Sequence, residues 1–371
     1  MARTRSRRHR HVAVALSAAL LLVACGGDDT EEAAAPDGDD ATEDEEMPAE
    51  EEEDAEEDMG EPVTLTLGHP FPAEHLIQVN MIEPWAEEVA EATDGTVTVE
   101  IHPGGALAAA TDAYDNAASG AIDMGWALHG YTPGRFPLTD VVELPFQFDS
   151  AEQATNTLWD LYEEFPELQE EYGDVHVLAL WTHDTGNFYT ADQPVTEPDL
   201  SGLTLRAPGP IQTDVIEGMG GNAVGMPAPE IYDSLERGVI DGLVTADTAI
   251  ESFTLHEVVG HATLMNFYVA GQFLVMNQDT WDSLSPAQQE AITAVSGREM
   301  SLVGATTYDE IHNEIIPRYE SEWGIEVVEV EDLGPWEEAV QPAIDNWISA
   351  QEESGMPGQE LYDRVQEIVG E

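Results

Sequence analysis

Two nine-residue stretches of this chain repeat one device: SGAIDMGWA at 119–127 and RGVIDGLVT at 237–245. In each, a glycine follows a helical run and suits the left-handed position that ends a helix. An Ile-Asp pair then opens a short apolar strand that can enter a sheet. A chain that makes the same helix stop and strand start in each half is constrained toward two lobes of related construction. The competing reading is chance likeness over nine residues.

The flanking patterns agree with such lobes. Val63, Leu65 and Leu67 alternate with Thr64 and Thr66, a strand with one buried face. Ile77, Met81, Ile82, Trp85 and Val89 follow at helical spacing, ended by Asp94-Gly95. An alternating strand, TVTVEIHP, leads to an alanine-rich helix from about Ala106 to Ser119. This order predicts α/β layering. Later, Ser285 caps a helix opening at Pro286, with Gln288 completing a capping box. Apolar spacing through Ile292, Val295, Met300 and Val303 and on to Tyr319 predicts one long strut across both lobes.

The first residues read as an export signal: a basic MARTRSRRHRH, then the apolar VAVALSAALLLVA, too short to span a bilayer. Leu22-Val23-Ala24-Cys25 resembles the lipoprotein-processing signal, so cleavage before Cys25 and a diacylglyceryl group on its sulfur are expected. An ordinary signal peptide with an unrelated cysteine is the alternative. Ser6-Arg7-Arg8 partly matches a twin-arginine signal and leaves the export route open. Cys25 is the only cysteine, so no intramolecular disulfide can form and the fold must rest on its core. From Gly26 to about Glu61 the chain is Asp, Glu, Ala and Gly with almost nothing large and apolar. Such a segment cannot offset the entropy of ordering and reads as a self-repelling tether.

No lysine occurs, and five of the eleven arginines lie in the first ten residues. After Cys25, 76 acids against six arginines leave a net charge of −70. Nucleic acid and anionic lipid surfaces need basic patches, so both are poor partners, and no nucleic acid is expected. A lysine-free acidic surface points to a saline or alkaline exterior, against the plainer reading of generic solubility.

Tests for chemistry fail one by one. His256 and His261 are five apart, about 140° around a helix, so they cannot share a face as zinc ligands do. Gly218 to Gly225 is glycine-rich but follows a helix and lacks a lysine, so it reads as a turn, not a phosphate loop. No Gly-x-Ser-x-Gly elbow or EF-hand spacing occurs. The expectation is no catalytic set, no metal and no cofactor.

One cation stands out. In GLTLRAPGP (202–210), Leu203 and Leu205 point one way and Thr204 and Arg206 the other, at the end of a strand where α/β clefts open. Pairing with a nearby carboxylate is the plain reading of Arg206. Its apolar flanks, the turn at Pro208-Gly209 and the upstream LWTHDTGNFYT favour a ligand site, since a guanidinium grips a carboxylate through two parallel hydrogen bonds.

From about Val63 onward the chain resembles the solute receptors of tripartite ATP-independent periplasmic (TRAP) transporters, the dicarboxylate-receptor class, bacterial extracellular solute-binding protein family 7. The matching residues are GLTLRAPG, MPAPEIYDSLERGVIDG, GAIDM, RFPLTDVVELPF and FLVMNQDTWDSLSPAQQEAI. The resemblance implies an α/β fold, a two-lobed periplasmic-binding-protein clamshell with crossover strands and a long spanning helix. Together with the N-terminal reading it sets the domains as a signal peptide at 1–24, a lipidated Cys25 and tether at 25–61, a first lobe of 62–190 plus 271–312, and a second of 191–270 plus 313–371. It also implies that Arg206 binds the carboxylate of an organic acid, that the partners are membrane subunits of a TRAP permease, and that the site is extracytoplasmic and lipid-anchored.

Two departures narrow the ligand. Sialic-acid-type members carry an arginine upstream where Asp192-Gln193-Pro194 stands here, and an asparagine near the place of Thr245. Trp126, Trp181 and Phe188 are assigned to the cleft wall, with His69 and Phe71 reaching it from the turn after the first strand. These aromatics favour a monocarboxylate with an apolar or aromatic body, although each could equally be core. Alternatives are a receptor for an ATP-driven importer or a sensor, or an acid-processing enzyme with a dyad from His69, His129 or His183.

Overall fold

The first strand, β1 (Val63–Gly68), buries Leu65 and Leu67 and leaves Thr64 to solvent, as the alternation predicts. In this computed structural model, which describes residues 59–370, it sits between β2 (Val97–His102) and β3 (Met124–Leu128), parallel to both. β10 (Gly271–Asn277) then pairs antiparallel with β3 and with β4 (Val175–Thr182), completing the order β2-β1-β3-β10-β4.

The second sheet repeats that plan. β6 (Thr204–Ala207) lies between β7 (Asn222–Gly225) and β8 (Gly242–Ala246), parallel to both. β5 (Gly186–Thr190) runs antiparallel between β8 and β9 (His261–Tyr268), and β11 (Glu326–Glu329) extends the edge beside β9. The order β7-β6-β8-β5-β9 therefore matches the first sheet strand for strand. β5 and β10 are the crossovers: each follows in sequence a strand of the opposite sheet.

The twin Ile-Asp stretches explain the likeness. Helices Ala113–Ala118 and Ile231–Glu236 end just before Gly120 and Gly238, at φ 72° and 65°. Ile122 and Ile240 are buried, and the aspartate after each takes a backbone amide of the neighbouring strand. Asp123 accepts from Thr66 N and Oγ1, both at 2.8 Å, and Asp241 accepts from Thr204 N at 2.7 Å. One carboxylate thus pins β1 to β3, and another pins β6 to β8.

Several expectations change. Only Ala113–Ala118 of the alanine-rich stretch is helical, because Leu107 and Ala108 pack in turns over Gly68 at the end of β1, and that tertiary contact overrides helix propensity. The strut is two helices, Pro286–Ala294 with its capping box intact and Gly297–Ile315, broken where Gly297 takes φ 75°. The second is about 28 Å long at 1.5 Å per residue. It packs on β4 and the helix Ala151–Glu164, and it delivers Ile315 to the core of the second sheet. The first crossover falls at His183–Thr185, so β5, placed in the first lobe by the sequence reading, pairs in the second sheet. The C-terminal helices also divide: Gly334–Glu353 packs on Pro210–Gly218, while Gly358–Gly370 packs on Ala151–Glu164. Residues 1–24 and Cys25 lie outside the described residues.

Removing an aspartate pin should leave its strand amide unpartnered. Asp123→Ala is expected to cost about 1–3 kcal/mol, more than Asp241→Ala, because Asp123 also holds a Thr66 hydroxyl. Urea unfolding midpoints of the two variants check both the size and the order.

Candidate functional site

Arg206 enters from β6, with Leu205 before it in the core. The guanidinium is buried at 1 % exposure, not spread over a polar surface as strand alternation alone suggests. Its Nε–H donates to Met226 O and an Nη1–H to Val244 O, each at 2.9 Å. These carbonyls hold its plane, the Tyr131 hydroxyl oxygen lies beside it as a further acceptor, and the N–H donors that remain are left for something else. The other five arginines of the described residues all pair with acids: Arg135 with Asp174, Arg237 with Asp233, Arg298 with Asp160, Arg318 with Glu251 and Arg364 with Glu164. Among the described residues no carboxylate lies within ion-pair reach of Arg206.

It faces a small hollow between the two sheets, with a cavity volume of about 30 Å³. The lining residues cluster at strand ends: Leu128 closes β3, His183 follows β4, Thr245 and Ala246 close β8, and Tyr268 closes β9. That is where open α/β sheets hold ligands. Phe71, His75, Leu128 and Phe253 form an apolar wall, with His75 packed against Phe71 at 4.9 Å and against Phe253 of the other lobe at 5.9 Å. Burial, with His69 close by, lowers the His75 pKa to about 3, so its ring is neutral. The Tyr268 hydroxyl is buried without a partner among the described residues, and burial pushes its pKa far up, so it remains a phenol.

The lobes touch at the rim. The Tyr131 oxygen accepts from Ala228 N across the cleft at 2.9 Å. A Cβ at Gly130 would lie 2.8 Å from Pro208 O and 2.9 Å from Gly209 Cα. The turn after Arg206 is therefore one of two facing lips, and only glycine lets them meet.

Beneath the hollow, three elements converge. Asp184 of the crossover accepts from Thr248 N and Oγ1 at 3.1 and 2.6 Å, and Asp247 accepts from Asn187 Nδ2 at 2.8 Å and from the Tyr189 hydroxyl. His312, on the helix Gly297–Ile315, places Nδ1 3.4 Å from Asp184 and 3.2 Å from Asp247. Burial opposes charge on His312, yet the two aspartates raise its pKa to about 10. Burial also raises that of Asp247, in spite of the imidazolium. These three side chains offer ligand atoms within 4.8 Å of one another, but the imidazolium already supplies the cation there.

Of the residues singled out in the sequence, Arg206, Thr245, Phe71 and His183 line the hollow. Trp126 and His69 do not. They stack behind Phe71, each ring within 4.5 Å of the next, one layer back from the neighbouring Leu128. Trp181 lies further back against Trp126 and Gly304. Phe188 faces the opposite side of its sheet, against Phe267 and Trp336, because its strand neighbours Asn187 and Tyr189 turn toward Asp247. His69, His129 and His183 each bond a separate partner, Gln78, Tyr172 and the Asp184 carbonyl, so no two form a dyad. His256 stacks on Trp323 and His261 opens β9. Sequence reasoning missed His75, Tyr131, Phe253, Tyr268 and Tyr308. Position at a strand end was the available signal for Tyr268, and none existed for Tyr308, which comes from a distant helix.

Comparison with known proteins agrees with this geometry. The sequence model for bacterial extracellular solute-binding protein, family 7, matches residues 67–351. A solute-binding protein of Chromohalobacter salexigens is 28% identical over 273 residues, 72% of this chain and 80% of that protein. A marine metagenome TRAP solute-binding protein specific for aromatic acids, solved with 3-hydroxybenzoate, superposes with a TM-score of 0.78 at 27% identity, covering 84% of this chain and 99% of that one. A TRAP periplasmic solute-binding protein of Bordetella bronchiseptica, with bound mandelate, gives a TM-score of 0.78 at 29% identity, covering 83% and 99%.

Two outcomes follow from the lips and the triad. Gly130→Ala is expected to weaken ligand binding about tenfold or more by disfavouring the closed form, with an urea midpoint near that of the parent. Unchanged affinity by calorimetry would remove the lip assignment. His312 holds its proton more tightly folded (about 10) than unfolded (about 6.5), so its contribution is full below about pH 6.5 and lost as pH rises through about 10. The stability gap between the parent and His312→Gln should therefore shrink steadily from pH 6 to pH 10.

Proposed function

The chain belongs to bacterial extracellular solute-binding protein family 7, and from that premise we propose that its ligand is a monocarboxylate with an aromatic body. The protein is an extracytoplasmic receptor of a TRAP transporter that binds an organic acid between its lobes and passes it to the membrane permease. The aromatic assignment rests on one observation: Arg206 is the only cation lining the hollow, it has no acid partner among the described residues, and the wall opposite is aromatic. A second carboxylate would find no counter-charge there, since His75 is neutral. The free N–H groups of Arg206 suit a carboxylate, and the unpartnered Tyr268 hydroxyl is a further donor. The aromatic-acid ligands of two structural relatives accord with this chemistry. Receptor function fits a population shift, in which only the closed form contacts the ligand from both sides.

The same reading takes Cys25 as the lipid attachment point and the acidic segment after it as the tether, in a saline exterior. At about 1 M salt the screening length falls to roughly 3 Å, so the repulsion between a chain of charge −70 and an anion fades while the close ion pair survives.

Benzoate or phenylacetate is expected to bind by calorimetry while succinate does not. Arg206→Ala should lose about 1.5–3 kcal/mol of binding. Arg206→Lys should recover little of it, because an ammonium lacks the planar fork. Retention of parental affinity in Arg206→Ala would overturn the site. Stopped-flow association should quicken as salt is raised, and slowing would contradict the electrostatic account.

A further inference from the structure

We propose that this receptor reads a hydroxyl group on its aromatic acid as well as the carboxylate, with His183 accepting a hydrogen bond from that hydroxyl and Tyr308 donating one to it. The proposal rests on the aromatic-acid reading above and deepens it. It comes from the direction of three hydrogen bonds around the hollow.

The first chain of reasoning starts at Trp126. An indole N–H can only donate, and Trp126 Nε1 lies 3.0 Å from Gln272 Oε1. That contact fixes which way the Gln272 amide points. Its Nε2 therefore faces the Tyr308 oxygen at 2.9 Å and donates to it. The Tyr308 oxygen is an acceptor on that side, and its own proton must turn elsewhere. Among the described residues it meets no acceptor, and Tyr308 lines the hollow. Trp126, though it never reaches the ligand space, sets the polarity of a group that does.

The second starts at Asp184. A carbonyl oxygen can only accept, and His183 Nδ1 lies 2.5 Å from the Asp184 carbonyl oxygen. Nδ1 therefore carries the proton, and Nε2 presents a lone pair. Burial keeps the ring neutral. His183 also lines the hollow, edge-on to Tyr268 at 5.3 Å and to Tyr308 at 6.3 Å between ring centres.

The hollow thus offers N–H donors at Arg206, an acceptor at His183 and an O–H donor at Tyr308. A carboxylate accepts only, so it satisfies Arg206 but not the His183 lone pair. A hydroxyl donates and accepts at once, and one such group answers both His183 and Tyr308. An acid without it leaves these two buried polar atoms to a trapped water or to nothing, which weakens binding. Sites built around a hydroxyl discriminate strongly against the analogue that lacks it.

Calorimetric titration of the full mature protein, stripped of copurified ligand, with two matched pairs tests the idea: 3-hydroxybenzoate against benzoate, and mandelate against phenylacetate. At least one hydroxylated member is expected to bind about tenfold or more tightly than its partner. Tyr308→Phe and His183→Leu should each collapse that ratio toward one. If neither pair is separated in the parent, or the ratio persists in both variants, the proposal is overturned. The parental comparison stands even if a variant fails to fold. Binding of benzoate and phenylacetate without a ratio would leave the aromatic-acid reading intact while this one fails. Binding of none of the four would bring down both.

Discussion

A buried guanidinium kept away from every acid among the described residues is the constraint around which this protein is arranged. Five of the six arginines among the described residues meet carboxylates, as charge statistics favour in so acidic a chain. Arg206 does not, because the groups around it are carbonyls, phenols, a neutral imidazole and apolar side chains. A charge removed from water without a counter-ion is costly, and two carbonyl dipoles offset only part of that cost. An anion beside the guanidinium would relieve the remainder, which is the physical basis of the proposed carboxylate site.

The duplicated sheets supply the place. Each carries the same strand order, each is pinned by an aspartate following a buried isoleucine, and the strand ends of both meet at the hollow. The crossovers make the two sheets exchange strands, so the segments that join them are short and shared. One of these segments also borders the hollow: Thr248 lines it while binding Asp184, and the carbonyl of Asp184 orients His183. His312, held between Asp184 and Asp247 on a helix that serves both halves, ties the crossover to the strand end beside the hollow.

Much of the frame was legible in the residues. The strand alternation around Val63, the capping box at Ser285, the glycine stops at 120 and 238, and Arg206 at a strand end all depend on neighbours a few positions away. Gly297 was legible in principle but was masked by apolar spacing that continues on either side of it. The wall was harder. Trp126, Trp181, Phe188 and His69 have the composition of a binding site yet lie behind it, while Tyr308 and Phe253 reach it from segments that pattern alone leaves unremarkable.

What the amino-acid order settled by itself was periodicity, caps, the absence of disulfides, and the presence of one arginine set apart by apolar flanks. Those are local matters of backbone sterics, side-chain alternation and composition. Tertiary structure alone decided depth: whether an aromatic ring touches the ligand or the ring in front of it, and which way a hydroxyl proton must point. Depth and polarity depend on the register between strands and helices far apart in the chain, 146 residues for Trp126 and Gln272 and 36 for Gln272 and Tyr308, and no local pattern encodes that register.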